Sequence, residues 1–126
     1  MIYDASALYI LLKKRELSSL RGSVTLDLAF YEVGNSLLME LRRKLITAES
    51  FTNALAVVTG IGELMDVRNF RQLDAGEVAR VSRLTGLTFY DASYLTLALM
   101  LKDTLATNDK DLIEEARKLR MRTVSI

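Results

Sequence analysis

Short apolar runs and longer helix-like runs take turns along almost the whole chain. "MIY" precedes "ASALYILLKKR", "GSVTL" precedes "DLAFYEVGNSLLMELRRK", and "TLAT" precedes "DKDLIEEARKLR" before a last apolar run, "RTVSI". A strand that is repeatedly followed by a helix pairs with its neighbours in parallel, because a tight hairpin cannot return the chain in the same direction. The pattern therefore predicts an α/β protein with a parallel sheet covered by helices on both faces.

Proline is absent, so glycine and small polar residues mark the breaks. Asp27 and Thr47 stand where helix N-caps are needed, before "LAFYEV" and "AESFTNALAVVTGIGELM". Asp74 and Glu77 have the spacing of a capping box, and Gly86 stops the helix that follows. "DVRNF" reads as a further short strand and "DASYLTLALMLK" as a helix. With no linker or low-complexity tract, residues 1–126 read as a single domain, long enough to bury a core without disulfides.

Two absences narrow the chemistry. The chain has no cysteine and no histidine. A thiolate nucleophile, a sulfur-based zinc site, a Ser-His-Asp relay and an HExxH metal site are all excluded. Remaining chemistry must use carboxylates, hydroxyls, lysines or a bound metal. The formal net charge is +1, so attraction to a nucleic acid would depend on local basic patches. No apolar run reaches the roughly 18 uncharged residues of a membrane span, and the N-terminus shows neither a basic lead nor a cleavage site. The expectation is a cytoplasmic protein without a membrane partner.

The tetrapeptide YDAS occurs twice, at residues 3–6 and 90–93. Asp4 follows the first strand and Asp109 follows "TLAT", both at strand-to-helix junctions, where open parallel sheets bind ligands. Asp91 opens its helix and can face the same edge. Helix capping is the competing role for each of these aspartates taken alone. Glu32 differs: it lies within a largely apolar helix, where Glu32, Asn35 and Ser36 make a polar strip. Carboxylates held close together repel one another unless protonated or bound to a cation, and hard oxygen ligands suit Mg²⁺ or Mn²⁺. Such an ion supports phosphodiester hydrolysis without histidine.

In order, "YDAS", the Glu of "YEVGNSL", "YDASYLTLAL" and "LATNDKDL" resemble the four acidic motifs of the PIN-domain ribonucleases, and among them the VapC-like toxins of toxin–antitoxin pairs. The resemblance spans the chain from first strand to last. It implies a three-layer α/β/α sandwich and a metal-dependent endoribonuclease. It assigns Asp4, Glu32, Asp91 and Asp109 to catalysis and to Mg²⁺ or Mn²⁺. It also gives Ser6 and Thr107 supporting roles beside the carboxylates. Asn35 is a candidate helper on the Glu32 face, and Asp111 either joins the metal site or decorates the last helix.

The resemblance further implies a homodimer, an RNA substrate and a cognate antitoxin protein. "ALYILLKK" and "SFTNALAVVTGIGELM" carry more apolar surface than one stripe requires, which suits a partner face or a fully buried helix. Candidate RNA-binding cations are Lys13, Lys14, Arg15, Arg42, Arg43 and Lys44, with a further group at Arg117, Lys118, Arg120 and Arg122. Most lie near helix C-termini, where the helix dipole favours cations in any case. "GIGELM" lacks the third glycine of a dinucleotide loop, and no GxxxxGK[ST] is present. The alternative from another class is a PIN-like module that binds RNA or protein without cutting.

Overall fold

The computed structural model describes Met1–Ile126. Five short strands, β1 (Ile2–Tyr3), β2 (Val24–Leu26), β3 (Asp66–Arg68), β4 (Leu105–Ala106) and β5 (Thr123–Val124), form one sheet. Its order is β3-β2-β1-β4-β5, with every pairing parallel. Ile2 of the central strand sits against Val24 on one side and Leu105 on the other. Six α-helices connect these strands: α1 (Ala5–Lys14), α2 (Leu28–Arg42), α3 (Ala48–Leu64), α4 (Ala75–Thr85), α5 (Phe89–Leu101) and α6 (Lys110–Lys118).

The chain steps outward from β1 to β3, then returns past β1 to β4 and β5. Parallel crossovers are right-handed, so the outward journey puts α1, α2 and α3 on one face and the return puts α4, α5 and α6 on the other. The packing agrees: α1 lies on α2 and α2 on α3, while α5 contacts both α4 and α6. This is the expected three-layer α/β/α sandwich. The direction of travel reverses between β1 and β4, which opens a crevice at the carboxyl ends of those two strands. Asp4 and Thr107–Asp109 lie there.

The core explains why α5 is apolar around its circumference. Every residue from Ala92 to Ala98 is buried, and Tyr94, Leu95 and Leu97 are among its largest fully enclosed side chains. By contrast, α6 buries only Leu112 and Ala116 and turns its charged residues outward. No single helix is long and apolar enough to cross a membrane.

Three helix starts differ from their sequence reading. Asp27 occupies the N-cap position of α2, but its backbone is already helical (φ −57°, ψ −29°) and its side chain makes no capping bond. Asp74 caps α4 through the Glu77 amide at 3.1 Å, yet the Glu77 carboxylate turns forward to Arg80, so the reciprocal half of the box does not form. A closed box occurs instead at the 3-10 turn Phe70–Gln72, between Asn69 and Gln72. The cap of α5 is Thr88, whose hydroxyl accepts from the Asp91 amide, so Asp91 is the third residue of the helix and lies in its first turn. Thr47 caps α3 as expected, and Gly86 closes α4 at φ +76°, a conformation other residues adopt at a cost.

Candidate active site

The two YDAS copies prove to be different devices. Asp4 is the N-cap of α1 and is 3% exposed. Its Oδ1 accepts from the Ala7 amide at 2.9 Å and the Ser6 hydroxyl at 2.7 Å, while its Oδ2 accepts from the Thr107 hydroxyl. In the second copy the aspartate does not cap, and the Ser93 hydroxyl bonds back to the Phe89 carbonyl. The first copy fixes a carboxylate; the second places one in the opening turn of a helix.

The segment after β4 interlocks with the first copy. Thr107, fully buried, links Asp4 to the next turn by accepting from the Asp109 amide at 3.1 Å. The Ser6 oxygen accepts from the Asn108 amide at 2.9 Å. Asp109 caps α6 with Oδ1 accepting from Leu112. Asn108 binds the backbone of Ile126 through both ends of its amide. Ser6 and Thr107 thus both donate to Asp4, one from α1 and the other from the segment after β4.

Glu32 has a partner that the sequence reading did not name. The Tyr94 hydroxyl donates to Glu32 Oε1 at 2.7 Å, joining α5 to α2 over the carboxyl edge of the sheet. The available signal was the spacing: Tyr94 follows Asp91 by three residues and shares its helix face. Asn35 does not play this part. It is exposed, makes no side-chain hydrogen bond and lines a shallow recess with Tyr9, Met39 and Arg43, because three residues along α2 carry it away from the crevice.

Electrostatics tie the four acids together. Burial pushes the Asp91 carboxyl up to about 6, helped by the negative charges of Asp109, Glu32 and Asp4 and opposed by its bond to Thr88. Burial also raises Glu32, with the Asp4 charge adding to the effect and Tyr94 opposing it. Asp4 is raised by burial despite bonds from Thr107, Ala7 and Ser6, and the Asp109 charge adds to the rise. None of the four forms a salt bridge.

A set of carboxylates without salt-bridge partners, whose charges help to raise Asp4, Glu32 and Asp91, suits a hard divalent cation. As the side chains stand, however, no three of them form a group arranged to hold a metal ion. The carboxylates share an edge and a field without closing into a cage.

Asp111 lies on the outer side. It is exposed in the first turn of α6 and shares a recess with Asp91, Thr88, Glu114 and Glu115. It makes no hydrogen bond to Asp4, Asp109 or Glu32.

No protein-family model matches the chain. Individual relatives do. Ribonuclease VapC3 of Pyrobaculum aerophilum is 30% identical over 123 residues, covering 91% of this chain and 93% of the relative. Exonuclease VapC9 of the same organism is 32% identical over 123 residues, covering 92% and 85%. The chain belongs to the VapC family of PIN-domain nucleases. Solved structures agree: PAE2754 from Pyrobaculum aerophilum superposes with a TM-score of 0.78 at 29% identity, covering 98% of this chain and 88% of that one. A PilT N-terminus domain protein from Sulfolobus solfataricus shares the fold at a TM-score of 0.50 and 18% identity, covering 98% and 84%.

In this VapC chain the basic residues singled out from sequence are not gathered at the acids. α1 leaves the crevice at Asp4 and, over its ten residues, carries Lys13, Lys14 and Arg15 about 15 Å away. Lys13 is paired with Glu40 at 2.6 Å, which ties the end of α2, with Arg42 as its last residue and Arg43 and Lys44 just beyond, to that distant end. Arg117, Lys118, Arg120 and Arg122 lead into the start of β5, at the amino edge. The cations near the carboxyl edge are others: Arg71 after β3 and Lys110 after β4, both exposed and free of salt bridges. Helix-end clusters attract notice in a sequence, whereas isolated cations become meaningful only once the sheet has placed them.

Proposed function

We propose that this VapC-family chain is a metal-dependent endoribonuclease and the toxin of a toxin–antitoxin pair. The observation that carries this reading is the set of four carboxylates without basic partners at the topological switch point. Asp4 is held by three donors, Asp109 by its capping bond and Glu32 by Tyr94, so three of the four are oriented before any ligand arrives. Asp91 stands on the rim, carrying the charge most disfavoured by its neighbours. Asp4, Glu32, Asp91 and Asp109 would hold Mg²⁺ or Mn²⁺, displacing the protons that the raised pKa values of Asp4, Glu32 and Asp91 favour. Such an ion supplies a more acidic water and neutralises charge on phosphate oxygens. The chain's own part is to fix carboxylate orientation and keep opposing cations away from the metal-binding oxygens.

The name of one relative, an exonuclease, favours a second reading in which RNA is degraded from an end. A non-catalytic PIN-like module is disfavoured because no acid of the four has been replaced or neutralised. For a protein partner, an antitoxin or a second copy in a homodimer, the support is a cleft of about 510 Å³ between α1, α2 and α3 lined by Leu12, Leu17, Leu37, Ala54 and Val57. A cytoplasmic site of action follows from an RNA substrate and a bound antitoxin.

The test is incubation of the purified protein with linear and circular single-stranded RNA, in Mg²⁺, in Mn²⁺ and in chelator. Cutting of both RNA forms that stops with chelator is expected. Cutting only of the linear form establishes the exonuclease reading, and inertness under all conditions overturns catalysis.

A further inference from the structure

Five of the nine aromatic residues in the chain are buried or half-buried, and the other four lie exposed in one place. Tyr31 (78% exposed), Phe70 (60%), Phe89 (44%) and Tyr90 (60%) line a single cleft of about 370 Å³. Exposed aromatics scattered singly need no explanation, but a gathered set with free ring faces does. The cleft is built from three separate segments: the first turns of α2 and α5 and the 3-10 turn that follows β3. All three lie at the carboxyl edge, and two of the four aromatics immediately precede candidate catalytic acids, Tyr31 before Glu32 and Tyr90 before Asp91. The cleft therefore opens on the same sheet edge as the crevice, although none of the four acids lines it.

We infer that this cleft is a base-stacking subsite that receives an unpaired nucleobase of the bound RNA. The inference rests on the ribonuclease reading and deepens it. Single-stranded RNA is recognised by stacking splayed bases on aromatic rings, a contact open to every base because each has a π-face. A duplex keeps its bases stacked on one another and offers nothing for these rings. Polar groups at the rim suit the same occupant. Asp27, whose carboxylate caps nothing, lines the cleft and can accept from an exocyclic amino group, and the exposed Arg71, which follows Phe70 in the chain, offers a cation for a backbone phosphate. A purely apolar protein segment would leave both charges without a counterpart.

The test measures binding in chelator, where no cleavage is required, using a fluorescently labelled unstructured RNA oligonucleotide and the same RNA annealed to its complement. Tyr31→Ala and Tyr90→Ala should each weaken single-strand binding by about tenfold, Tyr31→Phe and Tyr90→Phe should retain it, and the duplex should bind poorly. The chain has no tryptophan, so quenching of tyrosine fluorescence by bound RNA provides a second readout that the alanine variants should reduce. Unchanged thermal melting shows that these exposed substitutions leave the fold intact. Single-strand binding that is equal in wild type and alanine variants overturns the subsite while leaving the nuclease reading in place. Equal binding combined with loss of self-association in the alanine variants also overturns it and assigns the cleft to a second copy of the chain. Failure of the wild type to bind any single-stranded RNA counts against the ribonuclease reading itself.

Discussion

The Tyr94 hydroxyl donates a 2.7 Å hydrogen bond to Glu32 Oε1, although the two residues are 62 positions apart and lie on helices from opposite layers. The bond holds one carboxylate oxygen and leaves the other for a ligand. Because it favours the ionised form, it restrains the rise that burial and Asp4 impose on Glu32. Tyr94→Phe should remove this restraint with little change in volume. RNA cleavage should fall about 10- to 100-fold, as for other residues that orient metal-binding groups. The acid limb of the pH–rate profile should move to higher pH, since Glu32 would then hold its proton more tightly. A purely structural role would lower the melting temperature without moving that limb.

Thr107 and Ser6 approach Asp4 from different elements, and each also accepts a backbone amide from the β4–α6 turn. Thr107→Val replaces a fully buried hydroxyl by a methyl group and leaves Asp4 Oδ2 and the Asp109 amide unpaired. It should cost about 1–3 kcal/mol of stability. Ser6→Ala should cost less because Ser6 is only half-buried. Denaturant melts of both single variants and the double variant should show non-additive losses, as expected for one network.

The raised Asp91 pKa gives the metal-free protein a defined pH dependence. Folded Asp91 titrates at about 6, whereas an unfolded aspartate titrates at about 3.9. The folded state therefore binds this proton more tightly. Its stabilising contribution is complete below pH about 4 and is lost as the pH rises through about 6. Asp91→Asn escapes the loss. After allowance for partial exposure, it should be more stable than wild type by about 1–2 kcal/mol at pH 8, with the difference vanishing near pH 4. Thermal melts in chelator across that range check the sign, and saturating Mg²⁺ should shrink the gap by stabilising the wild type.

The placement of cations divides them into two groups with different expected effects. Arg71→Ala and Lys110→Ala, at the carboxyl edge, should each weaken RNA binding and reduce the magnitude of the salt slope by about 0.7, the value for one single-strand phosphate contact. Lys14→Ala, Arg42→Ala and Arg43→Ala, near the far end of α1, should leave both quantities nearly unchanged. Binding isotherms at several salt concentrations separate the two groups.

Much of the architecture was legible because helices and strands carry different periods and their alternation leaves few topologies. The positions of Asp4 and Asp109 followed from the same logic, since a residue after a parallel strand must emerge at one edge of the sheet. Asp27 shows the limit of local reasoning: a favoured cap residue occupies the cap position, yet the helical backbone there denies its side chain the capping bond. Thr88 and Asn69 show the converse, the cap of α5 standing three residues before Asp91 and the closed capping box opening five residues before Asp74. Tyr94 and the aromatic cleft were not legible, because each joins residues from elements far apart in sequence. The candidate RNA-binding cations lie away from the acids for a related reason: clustering in sequence reflects helix ends, while proximity to the acids depends on which edge a helix ends at.

The most direct test of the central claim is the initial rate of RNA cleavage as a function of Mn²⁺ concentration for wild type and Asp109→Asn. Asparagine caps helices about as well as aspartate, so this variant keeps the bond to the Leu112 amide while removing the charge. If the four carboxylates form the metal-dependent site, the variant should fold and melt like wild type yet cut at least about a hundredfold more slowly, with more Mn²⁺ needed for half-maximal rate. Equal rates at every Mn²⁺ concentration would mean that Asp109 only caps α6 and that cleavage, where present, is carried out elsewhere.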